Sequence, residues 1–188
     1  MNKISNLCWI LVIILGFTVL VGHVFSIGVI TTILPIWVSM KFATALCFCA
    51  VGAAKLCENH HPHMSLLFNM LILAICSYTI GDSSLFSFGD ISYYTVSEGL
   101  PSLATLAAFG LISITSISNM IDRDHKAIYW ALMAMSCIAF AGYVLSIPFM
   151  FYFIPAISTG MALHTAIGFL IIAFGMRWER KQNEKEIS

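Results

Sequence analysis

Six predominantly apolar stretches, near residues 7–27, 37–54, 64–81, 99–118, 127–149 and 156–176, constrain this chain more than any other feature. Lys41 is the single charge inside them. Each is close to the roughly 20 residues that a helix needs to cross the hydrocarbon core of a bilayer. Together they use most of the 188 residues, so no soluble domain fits beside them. A chain that is 60% hydrophobic and 10% charged, with a mean hydropathy of +0.93, lies outside the range of water-soluble domains. The expected fold is an all-α integral membrane protein: six transmembrane helices in one membrane domain.

The basic residues set the expected orientation, because Lys and Arg near span ends are retained on the cytoplasmic side. With the N-terminus inside, Lys3, Lys55, Arg123, Lys126, Arg177, Arg180, Lys181 and Lys185 are cytoplasmic, and Lys41 alone is outside. Both termini are then cytoplasmic. Asp82, Asp90 and Glu98 fall in the outer connections, and a net charge of zero conceals this polarity. Nothing in the pattern points to nucleic acid. The first span follows Lys3 and ends in small residues, as a secretory signal does, but the repeat described next argues that it is retained. The six cysteines, Cys8, Cys47, Cys49, Cys57, Cys76 and Cys137, lie in spans or at their inner ends, which argues against a disulfide framework.

A threefold repeat organises the spans. Thr44-Ala45-Leu46-Cys47-Phe48, Thr105-Leu106-Ala107-Ala108-Phe109 and Thr165-Ala166-Ile167-Gly168-Phe169 match, their threonines 61 and 60 residues apart. Each follows Met40, Pro101 or Met161 by four residues. The odd-numbered spans end at Gly22-His23, Gly81-Asp82 and Gly142-Tyr143, spaced by 59 and 61 residues. Three tandem helical hairpins are expected, at about 5–58, 64–120 and 126–180. The outer connections Ser26–Ser39, Ser83–Gly99 and Ser146–Gly160 are expected to hold short interfacial segments, with Trp37, Tyr93, Tyr94, Phe151 and Tyr152 at headgroup level. Ala45, Ala107, Ala108, Ala166 and Gly168 are small enough to let helix backbones approach closely in lipid. Thr44, Thr105 and Thr165 read first as part of this packing motif and second as ligand contacts.

Ser39-Met40-Lys41-Phe42-Ala43-Thr44-Ala45-Leu46-Cys47-Phe48 and Thr159-Gly160-Met161-Ala162-Leu163-His164-Thr165-Ala166-Ile167-Gly168-Phe169 carry a resemblance. Over essentially its whole length the chain resembles the N-terminal multi-helix, MASE-like membrane sensor regions of bacterial sensor histidine kinases and diguanylate cyclases. The resemblance implies signal input at the bacterial cytoplasmic (inner) membrane and a cytoplasmic kinase or cyclase output partner. In that family the last span leads into the output domain. Here it leads into Arg177–Ser188, so the chain reads either as a sensor half with a separate partner or as part of a longer protein.

Superposing the repeats at their glycines sets His23, Asp82 and Tyr143 in one row, with His164 beside the third motif threonine. With Glu98 and Lys41 nearby, these residues are expected to face an outward cup, since polar groups at membrane depth are costly and mark function. The alternative is plain interfacial solvation. His23 and His164 also suit a haem or metal ligand pair or a pH-responsive role. On the inner side, Cys57, His60, His61 and His63 concentrate soft-metal ligands, to which Cys8 adds one if the first two helices are neighbours; a His-rich polar turn is the competing reading. Asp122–Lys126 reads as a solvated turn, and the tail from Arg177 as a continuation of the last helix or a stop-transfer anchor. No phosphate loop, HExxH helix or nucleophile elbow is present, and an enzyme is not expected. The expected function is a sensory, ligand-binding membrane module that signals through the last helix, with homo-oligomerisation open. A haem-binding electron-transfer subunit is the alternative, and a small transporter or channel the second.

Overall fold

The computed structural model describes residues 3–32, 37–82, 101–119, 126–152 and 160–187. All regular structure among them is α-helical: α1 (Lys3–Val24), α2 (Gly28–Thr31), α3 (Phe42–Cys57), α4 (Pro62–Asp82), α5 (Leu103–Asn119), α6 (Lys126–Val144), α7 (Phe149–Tyr152) and α8 (Leu163–Ile187). Helix is the form in which an apolar segment satisfies every backbone N–H and C=O within itself. Among the described residues three helices are long and apolar enough to cross a membrane: α1 over 22 residues, α4 over the 19 from Pro62 to Ile80, and α6 over the 18 from Ala127 to Val144. Phe42–Cys57 and Leu103–Ser118 are shorter apolar helices.

The six long helices form a closed ring, α1–α3–α4–α5–α6–α8 and back to α1, with α3 and α5 also touching across it. α3, α5 and α8 stand on the inside. Phe48, Phe109 and Phe169, one from each, meet there with ring centroids 4.9–5.2 Å apart. None of the three is exposed. α1, α4 and α6 are apolar on both faces: one packs inward, and the other exposes Leu7, Ile14 and Phe17, Leu67 and Tyr78, or Trp130. Such faces suit lipid rather than water.

Small residues set the closest approaches. A Cβ on Gly16 would lie 2.6 Å from the Ala45 carbonyl oxygen, and one on Gly52 would lie 2.8 Å from that of Trp9. The α1–α3 crossing is therefore backbone against backbone, at one of the expected small residues, Ala45.

Buried positions recur with a spacing of 60 residues: Trp9, Asn69 and Tyr129; Val12, Ile72 and Leu132; Val19, Thr79 and Ala139. Counted this way, Asp82 is level with Gly22 and Gly142, one residue away from the row obtained by aligning the glycines. At the end where α1 begins and α3 finishes, the helices extend past the apolar stretches, and α8 runs unbroken into the charged tail as far as Ile187.

Candidate functional site

At the C-terminal ends of α1 and α6 the chain turns in the same way twice. Ile27 N donates to Gly22 O and Ile147 N to Gly142 O, both at 2.8 Å. Ser26 and Ser146 take left-handed φ values of 55° and 56°. A short helix follows, α2 or α7, and lies so close that a Cβ on Gly22 would meet Ile30, and one on Gly142 would meet Met150, at 2.6–2.9 Å. The glycines shared by these span ends are thus required by the returning segment.

The next residues explain His23 and Tyr143. Met40 and Met161 precede α3 and α8, so their carbonyls have no intrahelical partner and need one from elsewhere. His23 Nε2 lies 2.8 Å from Met40 O, and the Tyr143 hydroxyl donates to Met161 O at 2.7 Å. A carbonyl only accepts, so His23 carries its proton on Nε2. On the other side, Met40 N donates to Thr31 O and Met161 N to Phe151 O. Two chemically different side chains therefore clasp the same backbone position. Aromatic packing closes around them: Phe151 stacks on Tyr143 at 4.3 Å, and Trp37 lies 5.1 Å from it. These rings pack on the protein as well as lying at its end.

His164 is placed differently. It lines a cavity of about 390 Å³ between α1, α2 and α8, together with Leu11, Ile14, Leu15, Ile30 and Ile171. His23 and Tyr143 do not line this cavity. Glu98 lies outside the described residues, and of Asp82 only the backbone, at the end of α4, is described. Thr44, Thr105 and Thr165 are buried, away from the cavity. Ser102 caps α5 by accepting from Thr105 N at 3.2 Å, and its hydroxyl lies 2.7 Å from that of Thr105.

The opposite end holds a polar cluster that the apolar pattern concealed. The Glu179 carboxylate of α8 accepts from Ser5 Oγ at 2.6 Å and from Trp9 Nε1 at 2.7 Å. Trp9 Nε1 also reaches Ser5 Oγ at 3.0 Å. Lys55 of α3, only 4% exposed, bonds Glu58 at 2.7 Å and stands 3.9 Å from the second Glu179 oxygen. Its ammonium lies 5.9 Å from the Trp9 ring centroid. Three helices are thereby joined through one carboxylate. The sequence signals were Trp9, an indole N–H inside an apolar span, and Lys55, a charge in the last turn of α3; both groups need partners when buried.

Cys57 is half-buried, whereas His60 and His61, on the turn between α3 and α4, and His63, in the first turn of α4, are exposed. Among the described residues no three His, Cys, Asp or Glu side chains are grouped to hold a metal ion. All six cysteines are free thiols. The Asp122–His125 turn lies outside the described residues. Comparison of the chain with protein-family models, with characterised proteins and with solved structures finds no match.

Proposed function

We propose that this chain is a membrane-embedded sensory module of six spans, built from three tandem hairpins with both termini in the cytoplasm, whose last helix passes a ligand-dependent state to a cytoplasmic output partner. The resemblance to MASE-like sensor regions suggests a kinase or cyclase as that partner and a bacterial inner membrane as its place. The observation that carries the reading is the continuity of α8. His164 and Ile171 of this one helix line the cavity, and Glu179 of the same helix holds α1 and α3 at the other end. The helix then continues to Ile187. About 22 Å of rigid helix separates His164 from Glu179, at 1.5 Å per residue.

A ligand shifts such an element only if it binds one helix arrangement better than another. Coupling between two sites is ordinarily worth about 1–3 kcal/mol. The Glu179 cluster is the element such a difference would bias, because its bonds depend on how α8 sits against α1 and α3. Two further observations favour this reading over its competitors. The Phe48, Phe109 and Phe169 rings fill the axis along which a solute path between the hairpins would run. Haem ligation by His23 would require its Nε2 to give up Met40 O, leaving that carbonyl unpaired.

The test is a fusion of the full chain, through its C-terminus, to a kinase or cyclase reporter in a bacterial membrane. Glu179→Gln is expected to shift basal output by roughly fivefold or more, the lower end of ordinary coupling, and His164→Ala to alter the response to added hydrophobic compounds. Output unchanged in both variants under every stimulus overturns the proposal.

A further inference from the structure

The cavity beside His164 has features of its own that identify an occupant. Its volume of about 390 Å³ falls in the range of roughly 300–1,000 Å³ typical of small-molecule sites. Leu11 and Ile14 on its rim are 42% and 54% exposed, on the face that α1 turns to lipid, so the entrance is lateral. α1 and α8 run antiparallel, because Ser5 and Trp9 meet Glu179 at one end while Thr18 and His164 share the cavity at the other. Leu11 to Thr18 and Ile171 to His164 are each two helical turns, about 10 Å. The cavity is therefore hydrocarbon at its deep end, with its polar groups at the outer end.

Among the described residues that line it, two have hydrogen-bonding side chains, Thr18 and His164. The Thr18 hydroxyl already donates to Ile14 O at 2.7 Å. His164 makes no hydrogen bond among the described residues, so its imidazole has a donor and an acceptor to offer. Among the described residues no Lys, Arg, Asp or Glu lines the cavity, and a charged head group buried there would lose its hydration without an ionic partner.

We infer that this groove binds a single-chain membrane amphiphile with an uncharged hydroxyl or carbonyl head, the head on His164 and the hydrocarbon along Leu11, Ile14 and Ile171. The inference rests on the sensory proposal only in taking this molecule as the signal. Such a ligand partitions into the bilayer first and enters between α1 and α8, so its apolar chain never has to be drawn from water. Its seat is against the outer turns of the helix that carries Glu179.

The test uses the full chain in lipid nanodiscs and a long-chain alcohol carrying a photoactivatable diazirine in its chain. Labelling is expected on the α1 and α8 peptides containing Leu11, Ile14 and Ile171, and excess unlabelled alcohol should compete it away. Ile14→Trp, whose indole fills the groove from its lipid side, removes the labelling; Leu11→Trp makes the same block should the first variant lower the melting temperature. His164→Ala weakens competition by roughly three- to tenfold, the loss of one hydrogen bond. Label spread evenly over the lipid faces of α4 and α6, or undiminished by both tryptophan variants, overturns the site. A long-chain carboxylate that competes about tenfold better than the alcohol overturns the uncharged head. Absent labelling with a responsive reporter fusion sinks the groove and leaves the sensory proposal standing, whereas specific labelling with a silent reporter does the reverse.

Discussion

Glu179 accepts hydrogen bonds from two side chains of α1 and faces the ammonium of a third from α3, so its removal takes a partner from three groups together. Among the described residues the Ser5 hydroxyl would lose its acceptor, while Trp9 Nε1 would keep Ser5 Oγ and the buried Lys55 would keep Glu58. A buried donor left without its partner costs about 1–3 kcal/mol. Glu179→Ala is accordingly expected to destabilise the protein by that order, and Trp9→Phe by about 1 kcal/mol, with the ring volume largely kept. Thermal unfolding in detergent micelles checks both; a Glu179→Ala variant as stable as the parent would show that the cluster contributes nothing to holding the helices. Reading the residues in order gives little warning of this cluster, because Glu179 sits among charges that look solvated while its partners are about 170 positions away. The two histidines diverge for a related reason. Both are intramembrane imidazoles in the sequence, but one faces a carbonyl that has no other partner and the other faces a cavity.

Among the helices, the α1–α3 pair is held at the shortest separation that its glycines allow. Gly16→Ala places a methyl 2.6 Å from Ala45 O and 2.8 Å from Cys49 Sγ; Gly52→Ala places one 2.5 Å from Ile13 Cγ1 and 2.8 Å from Trp9 O. Backbone atoms cannot swing aside, so the helices must part. Overpacking of this kind costs about 1–3 kcal/mol, and each substitution is expected to lower stability by that amount. Gly110→Ala is the contrast, since a Cβ there meets nothing within 4 Å. Removing a helical glycine without a clash should be neutral or stabilising by up to about 1 kcal/mol. Equal losses at all three glycines, measured by denaturation in the same detergent, would contradict the close crossing. The motif around Thr44 announced small residues, and the structure adds where they meet: Ala45 against Gly16, and Gly168 against the Phe48 ring.

For the molecule as a whole, the aromatic trio on the axis is where the inner helices meet. Lipid tails are as apolar as phenyl rings, so these side chains hold the ring of helices by packing and by their edge-to-face and tilted ring contacts rather than by escape from water. Phe48→Ala, Phe109→Ala and Phe169→Ala are each expected to cost about 2 kcal/mol or more through the cavity left behind. Aromatic pairs contribute about 0.5–1.5 kcal/mol beyond their burial, so double-mutant cycles among the three should give couplings of that size and of similar magnitude. Additive losses within error would mean that the rings do not act together.

Helical class and the presence of membrane-length apolar helices were legible without coordinates, because a bilayer imposes span length and forbids unpaired backbone whatever the packing. The 60-residue periodicity of the sequence pointed to the phenylalanines, but only the closed ring brings them into contact. Tertiary structure alone decided which polar groups are spent and which are free. His23 and Tyr143 are committed to the carbonyls of Met40 and Met161, and Glu179 to Ser5, Trp9 and Lys55. The reason is physical: a polar group's partner in lipid is set by the neighbouring helix that stands within 3 Å, and no local pattern of residues encodes that neighbour.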